Sequence, residues 1–113
     1  MLPKLNRLKK KKDFERVFKS GKGVNLNFIA LKFNKNELKN SRFGFIVSSK
    51  VSKKAVVRNK IKRRLRESVK KKINDVKKGL DIILITFPAL KNKDFQEIDE
   101  IVEKLFKKAG ILL

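Results

Sequence analysis

Apolar residues recur along this chain at two different periods, and the switches between them predict an order of elements. Between Lys9 and Gly21 (KKKKDFERVFKSG), Phe14, Val17 and Phe18 stand at i, i+3 and i+4, and Gly21 follows as a stop. That pattern predicts a short amphipathic helix. Leu26–Phe33 (LNFIALKF) and Arg42–Ser48 (RFGFIVS) are rich in aromatic and branched residues and predict two strands, with the polar NKNELKN between them suited to a hairpin connection. Val57, Ile61, Leu65 and Val69 then recur every four residues, and Ile73 continues the stripe. This is one side of a long helix able to lie on a sheet. Leu80–Phe87 (LDIILITF) is an almost unbroken apolar run closed by Pro88, as expected of a strand covered on both faces. From Asp94, the segment DFQEIDEIVEKLFKKAG predicts a final helix: Asp94 and Glu97 make a capping box, Lys107 and Lys108 suit the C-terminal end, and Gly110 stops it. Its core stripe is Phe95, Ile98, Ile101, Val102, Leu105 and Phe106. The order α-β-β-α-β-α, with helices covering a small mixed sheet, predicts an α+β two-layer sandwich.

Charge changes this picture from a fold to a partner. The 113 residues, read as one domain over 1–113, carry 32 Lys and Arg against 11 Asp and Glu, a net charge of +21. Self-repulsion on that scale opposes compaction, so the working state calls for a polyanion: nucleic acid first, an anionic membrane surface second. Twelve of the basic residues fall between Lys50 and Lys72, where Glu67 is the lone acid. At about 100° per residue, Asn59, Arg63, Arg66 and Lys70 gather opposite the apolar stripe, with Lys60 on the flank. A run of charge on a helix is ordinarily a solvated face, but such faces alternate in sign at i, i+4, and this one does not. Arginine suits phosphate through its planar fork, and lysine adds point charge. Five of the 11 acids lie between Asp94 and Glu103, so the final helix is expected to face away from the polyanion.

Absences exclude whole classes of chemistry. Without Cys there is no disulfide framework and no thiolate metal site. Without His the commonest general base is missing, and Ser-His or Cys-His nucleophile systems are ruled out. A self-sufficient metal nuclease needs convergent carboxylates, whereas the acids here are scattered or lie on the last helix. The opening MLPKLNRLKKKK has no apolar h-region after its basic residues, and no run approaches the roughly 20 apolar residues of a membrane span. A cytoplasmic protein is expected.

Two segments carry a sharper signal. AVVRNKIKRRLRE (Ala55–Glu67), with VSSKVSKK before it, resembles the signature of the bacterial ribonuclease P protein subunit, whose basic helix has an Arg-Asn-Arg core followed by Lys-Arg and a further Arg. Here the core is Arg58, Asn59 and Lys60, then Lys62, Arg63 and Arg66; Lys at the third position is a charge-preserving departure. NRLKKKKDFERVFKSG and RFGFIVSSKVSKKAVVRN extend the similarity over most of the chain.

The resemblance implies a protein with no catalytic residues of its own. In that family a large RNA carries out metal-dependent hydrolysis of precursor tRNA, with Mg²⁺ held mainly by the RNA, and releases the 5′ leader. The protein binds this RNA and holds the single-stranded leader between its sheet and N-terminal helix. The family fold also implies a left-handed βαβ crossover, an exception to the usual hand. By the same resemblance, Arg58, Asn59, Lys60, Lys62, Arg63 and Arg66 contact the catalytic RNA, with Lys50, Lys53 and Lys54 at the edge of that surface. Phe14 and Phe18 match the family's cleft aromatics, although their i, i+4 spacing serves helix-to-sheet packing equally well. A third cleft aromatic falls on Leu31, for which Phe33, two residues on and hence on the same face, could substitute. Thr86 occupies a position that is often basic in the family. The rival reading is a ribosomal or general RNA-binding protein, from which the Phe14 and Phe18 cleft and the Arg58-Asn59-Lys60 spacing separate it.

Overall fold

In the computed structural model, which describes residues 2–113, the chain runs through α1 (Lys11–Ser20), β1 (Lys22–Asn25), β2 (Ile29–Lys35), β3 (Arg42–Ile46), α2 (Ala55–Lys72), β4 (Leu80–Thr86) and α3 (Phe95–Ala109). The strands form one sheet in the order β1-β2-β4-β3. β1 and β2 are antiparallel, β2 and β4 are antiparallel, and β3 runs parallel to β4. A parallel neighbour requires a long crossover, which α2 supplies. The apolar run of β4 takes the centre, where both faces are covered: Ile82, Ile83 and Leu84 have no exposed surface.

Strand alternation divides the core in two. On one face Ile29, Leu31, Ile82 and Leu84 meet Ile61, Leu65 and Val69 of α2 and Ile98, Val102, Leu105 and Phe106 of α3. There Phe43 stacks on Phe106 with ring centroids 6.3 Å apart. On the other face α1 sets Val17 against Ile83 and Leu8, with Phe14, Ile46 and Ile85 only partly covered. The helix α3 begins as the sequence predicts: Asp94 accepts from the Glu97 amide at 2.8 Å, Glu97 accepts in return from the Asp94 amide, and Gly110 ends the helix in the left-handed region at φ 72°.

Two expectations are corrected. The connection NKNELKN does not close a hairpin between the second and third predicted strands, because β4 inserts between β2 and β3. Asn36 instead folds the segment on itself: its side-chain amide donates to the Asn40 carbonyl at 3.0 Å and to Asp81 at 2.9 Å, and its oxygen accepts from the Leu38 amide at 2.7 Å. The hairpin that does form joins β2 to β1, a four-residue strand that the sequence pattern did not reveal. Its turn consumes Leu26–Phe28, so β2 begins at Ile29 rather than Leu26.

Candidate nucleic-acid interface

The helix α2 separates its cations by partner. On the side facing α3, Lys71 and Lys72 pair with Asp99, and Ser68 donates to the same carboxylate at 2.7 Å. Partial burial works against the charged form of Asp99, but these donors together outweigh it and hold the carboxyl at about 2, below the usual 3.8. Arg64 also faces inward, donating to the Lys93 carbonyl at 2.9 Å. Outward, the pattern reverses. Asn59, Lys60 and Arg63 are exposed, Lys62 and Arg66 are half-buried, and among the described residues none of Arg58, Lys60, Lys62, Arg63 or Arg66 forms an ion pair. Arg63, Arg66 and Asn59 line an open groove with Glu67 and with Val56, a valine left 79% exposed.

The approach to α2 is built from the same chemistry. Lys50, Lys53 and Lys54 are exposed in the loop that enters the helix. Arg58 reaches back and donates to the Ser52 carbonyl at 2.9 Å, so part of its hydrogen-bonding capacity holds this loop in place. No side chain caps the first turn of α2, and no acid lies in it. The positive end of the helix dipole therefore adds to the charge of the lysines.

The second surface lies under α1. Val17, with no exposed surface, takes over the packing role for this helix, whereas Phe18 is 39% exposed and Phe14 half-buried. The Phe14 ring lies so close to β3 that a Cβ on Gly44 would come within 2.5 Å of it. A buried ion network fixes the helix on the sheet. Arg42 grips Asp81 through two nitrogens at 2.8 and 2.7 Å and Asp13 of α1 through a third at 3.3 Å. The hydrogen bonds that Arg42 donates to Asp81 raise the guanidinium pKa above its usual value, with burial opposing.

Phe14 and Phe18 stand on the α1 side of the sheet, and Leu31 and Phe33 lie on the other. Leu31 has no exposed surface, and both residues pack into the core shared with α2 and α3, on the far side of the sheet. The residue that β2 sends toward α1 is Lys32, whose amino group stands 5.7 Å from the centroid of the Phe18 ring. The alternation of Ile29 and Leu31 with Ala30 and Lys32 carries the signal that could have found it. Thr86 is 4% exposed and pairs in register with Ile29 on the buried face, so it does not take the place of a surface cation. Among the described residues, no three acidic side chains gather into a cation site, and no helix is long and apolar enough to cross a membrane.

A long helix whose outward cations form no ion pair among the described residues, beside the partly open aromatic rings of α1, is the layout of an RNA-binding α+β protein. The comparisons with known proteins agree and go further. Residues 2–110 match the family model of Ribonuclease P, and the chain belongs to that family. It is 38% identical to the ribonuclease P protein component of Caldanaerobacter subterraneus subsp. tengcongensis, covering 98% of this chain and 95% of that one. Among solved structures, the RNase P protein of Staphylococcus aureus superposes with a TM-score of 0.89 at 33% identity, over 96% of this chain and 98% of the other. The RNase P protein from Thermotoga maritima gives 0.83 at 34% identity, over 90% and 96%.

Proposed function

We propose that the chain is the protein subunit of bacterial ribonuclease P and that its two surfaces divide the work. The outer face of α2, from Arg58 through Arg66 with Lys50, Lys53 and Lys54 at its edge, takes the phosphates of the catalytic RNA. The cleft under α1 takes the single-stranded 5′ leader of precursor tRNA. The observation that carries this reading is the pairing pattern. Lys71 and Lys72, facing α3, pair with Asp99, while among the described residues Arg58, Lys60, Lys62, Arg63 and Arg66 form no ion pair.

Leader binding supplies discrimination. A base stacked on an exposed aromatic is worth about 1 to 3 kcal/mol, and mature tRNA has no leader to stack. Phe18 offers a partly exposed ring, and Lys32 beside it offers charge for the neighbouring phosphate. The hydrolysis itself belongs to the RNA, which holds Mg²⁺ with its own phosphates; the protein contributes position and affinity. Such a ribonucleoprotein works in the cytoplasm.

Reconstitution tests the proposal. The isolated protein should leave precursor tRNA intact, and adding the catalytic RNA with Mg²⁺ should give a single cut at the tRNA 5′ end. Metal-dependent cleavage by RNA-free protein, abolished by substituting its own carboxylates, would overturn it.

A further inference from the structure

The helix α1 buries two of its ten residues, Val17 and Asp13. One is apolar and the other a carboxylate, and they hold the helix in different ways. Apolar contact is non-directional, so Val17 against Ile83 and Leu8 keeps α1 on the sheet without fixing its roll. Asp13 fixes it. Its carboxylate lies 3.3 Å from one terminal nitrogen of Arg42, and both side chains are largely buried. Arg42 is not free to follow the helix, because its other two nitrogens donate at 2.8 and 2.7 Å to Asp81, its register partner on β4. Asp81, itself buried, is held in turn by the Asn36 side-chain amide at 2.9 Å. A continuous polar chain thus runs from the turn after β2, across two strands, to the first turn of α1.

Strand alternation supplies a second point of contact. Arg42 and Gly44 share one face of β3, and they meet the consecutive helix residues Asp13 and Phe14. Gly44 lets the Phe14 ring come down on the strand, since a Cβ there would lie 2.5 Å from it. One ionic and one steric contact, side by side, set the height and roll of α1. The consequence falls on Phe18, four residues beyond Phe14. Its ring is left 39% exposed, with the Lys32 amino group 5.7 Å from its centroid. An apolar ring gains by burial, so a helix free to roll would turn Phe18 toward the sheet, and the ion pair opposes that turn.

We infer that Asp13 and Arg42 are positioning residues: their ion pair holds α1 at the roll that keeps Phe18 open, and it governs precursor selectivity through the helix rather than through contact with RNA. This rests on the leader reading above and concerns the residues that hold the surface, not those that bind.

The test removes Asp13 rather than Arg42. Asp13→Ala leaves Arg42 paired with Asp81, whereas loss of Arg42 would strand a buried carboxylate. In the holoenzyme, Asp13→Ala should weaken precursor affinity about three- to tenfold, with mature tRNA affinity and the single-turnover cleavage rate at saturation unchanged. The sign is diagnostic. Deleting a negative charge beside a polyanion tightens both RNAs by electrostatics alone, so a loss confined to precursor comes from helix placement. Asp13→Asn keeps an oxygen that can accept from Arg42 and should retain more of the preference; it also serves if Asp13→Ala fails to fold. A fluorine label on the Phe18 ring should shift in its ¹⁹F spectrum and become less accessible to a soluble paramagnet when Asp13 is replaced. Intact preference in a folded Asp13→Ala overturns the inference, whether or not its melting temperature falls. Lost preference with the label unmoved overturns it as well. If Phe18→Leu loses preference where Asp13→Ala does not, the leader reading stands without the clamp; if neither variant loses it, both fall.

Discussion

The two faces of the sheet are built from similar residues and finished differently. Toward α2 and α3, Leu31, Ile82, Leu84, Ile98 and Val102 have no exposed surface. Toward α1, the buried apolar side chains among the described residues are Leu8, Val17 and Ile83, while Phe14, Ile46 and Ile85 remain partly open. Length explains the difference. At about 1.5 Å per residue, the 18 residues of α2 and 15 of α3 can roof a sheet, whereas the 10 residues of α1 span only about 15 Å. Four strands at about 4.8 Å spacing are wider than one helix. The closed face holds the fold together, and the short helix leaves the other face available to a ligand. On the leader reading proposed above, the partly open apolar residues on the α1 side are the ones available for binding, and the fully buried ones on the far side serve packing.

That contrast is broken most decisively at Leu31. Leu31→Ala should cost about 2 to 5 kcal/mol of stability in denaturant unfolding, as expected for a fully buried leucine. The folded variant should keep its preference for precursor over mature tRNA. A nearly unchanged stability with lost preference would return Leu31 to the cleft.

Phe18→Leu should show the opposite pattern. Precursor affinity should fall by about 1 kcal/mol or more, while melting temperature and catalytic-RNA affinity stay near normal. A destabilised variant with intact discrimination would make Phe18 a core residue.

The Asp99 cluster sharpens the comparison on the closed side. Because the carboxyl is held at about 2 when folded, its stabilisation is present above pH about 4 and is lost as pH falls through about 2. Replacement by Asn should remove about 1 to 2 kcal/mol at neutral pH and flatten the acid limb of the stability profile over that window. Equal acid sensitivity in both proteins would show that Asp99 contributes nothing to it.

The smallest effect is expected on the outer face of α2. Arg63→Ala should leave the fold intact and reduce the slope of log affinity against log salt by about 0.7 to 0.9 for catalytic RNA. Unchanged affinity and slope would mean that Arg63 is only solvated.

Much of this was readable from residue order. The helix α2 was legible because its apolar and cationic positions separate at helical period, and α3 because its caps are written in Asp94, Glu97 and Gly110. At helical period Asn59, Arg63 and Lys70 fall opposite the apolar stripe, and they are exposed in the fold. The period of two also placed Leu31 and Phe33 correctly on one common face. It could not say which helix covers that face, since alternation has no sign until the sheet is assembled. Lys32, one residue away, was overlooked for that reason. The strand β1 escaped because four residues, KGVN, carry too little pattern, and β3 was joined to the wrong neighbour because adjacency in sequence is only a tendency.

The sequence by itself determined the local elements, the segregation of charge along α2 and the absence of His and Cys chemistry, because these depend on period and composition alone. Only the tertiary structure decided that β4 would enter between β2 and β3, that Lys32 rather than Leu31 would face Phe18, and that Phe14 and Arg66 would meet across the β3 edge. Those outcomes depend on contacts between residues far apart in the chain, where burial of the β4 apolar run on both faces outweighs any preference written locally.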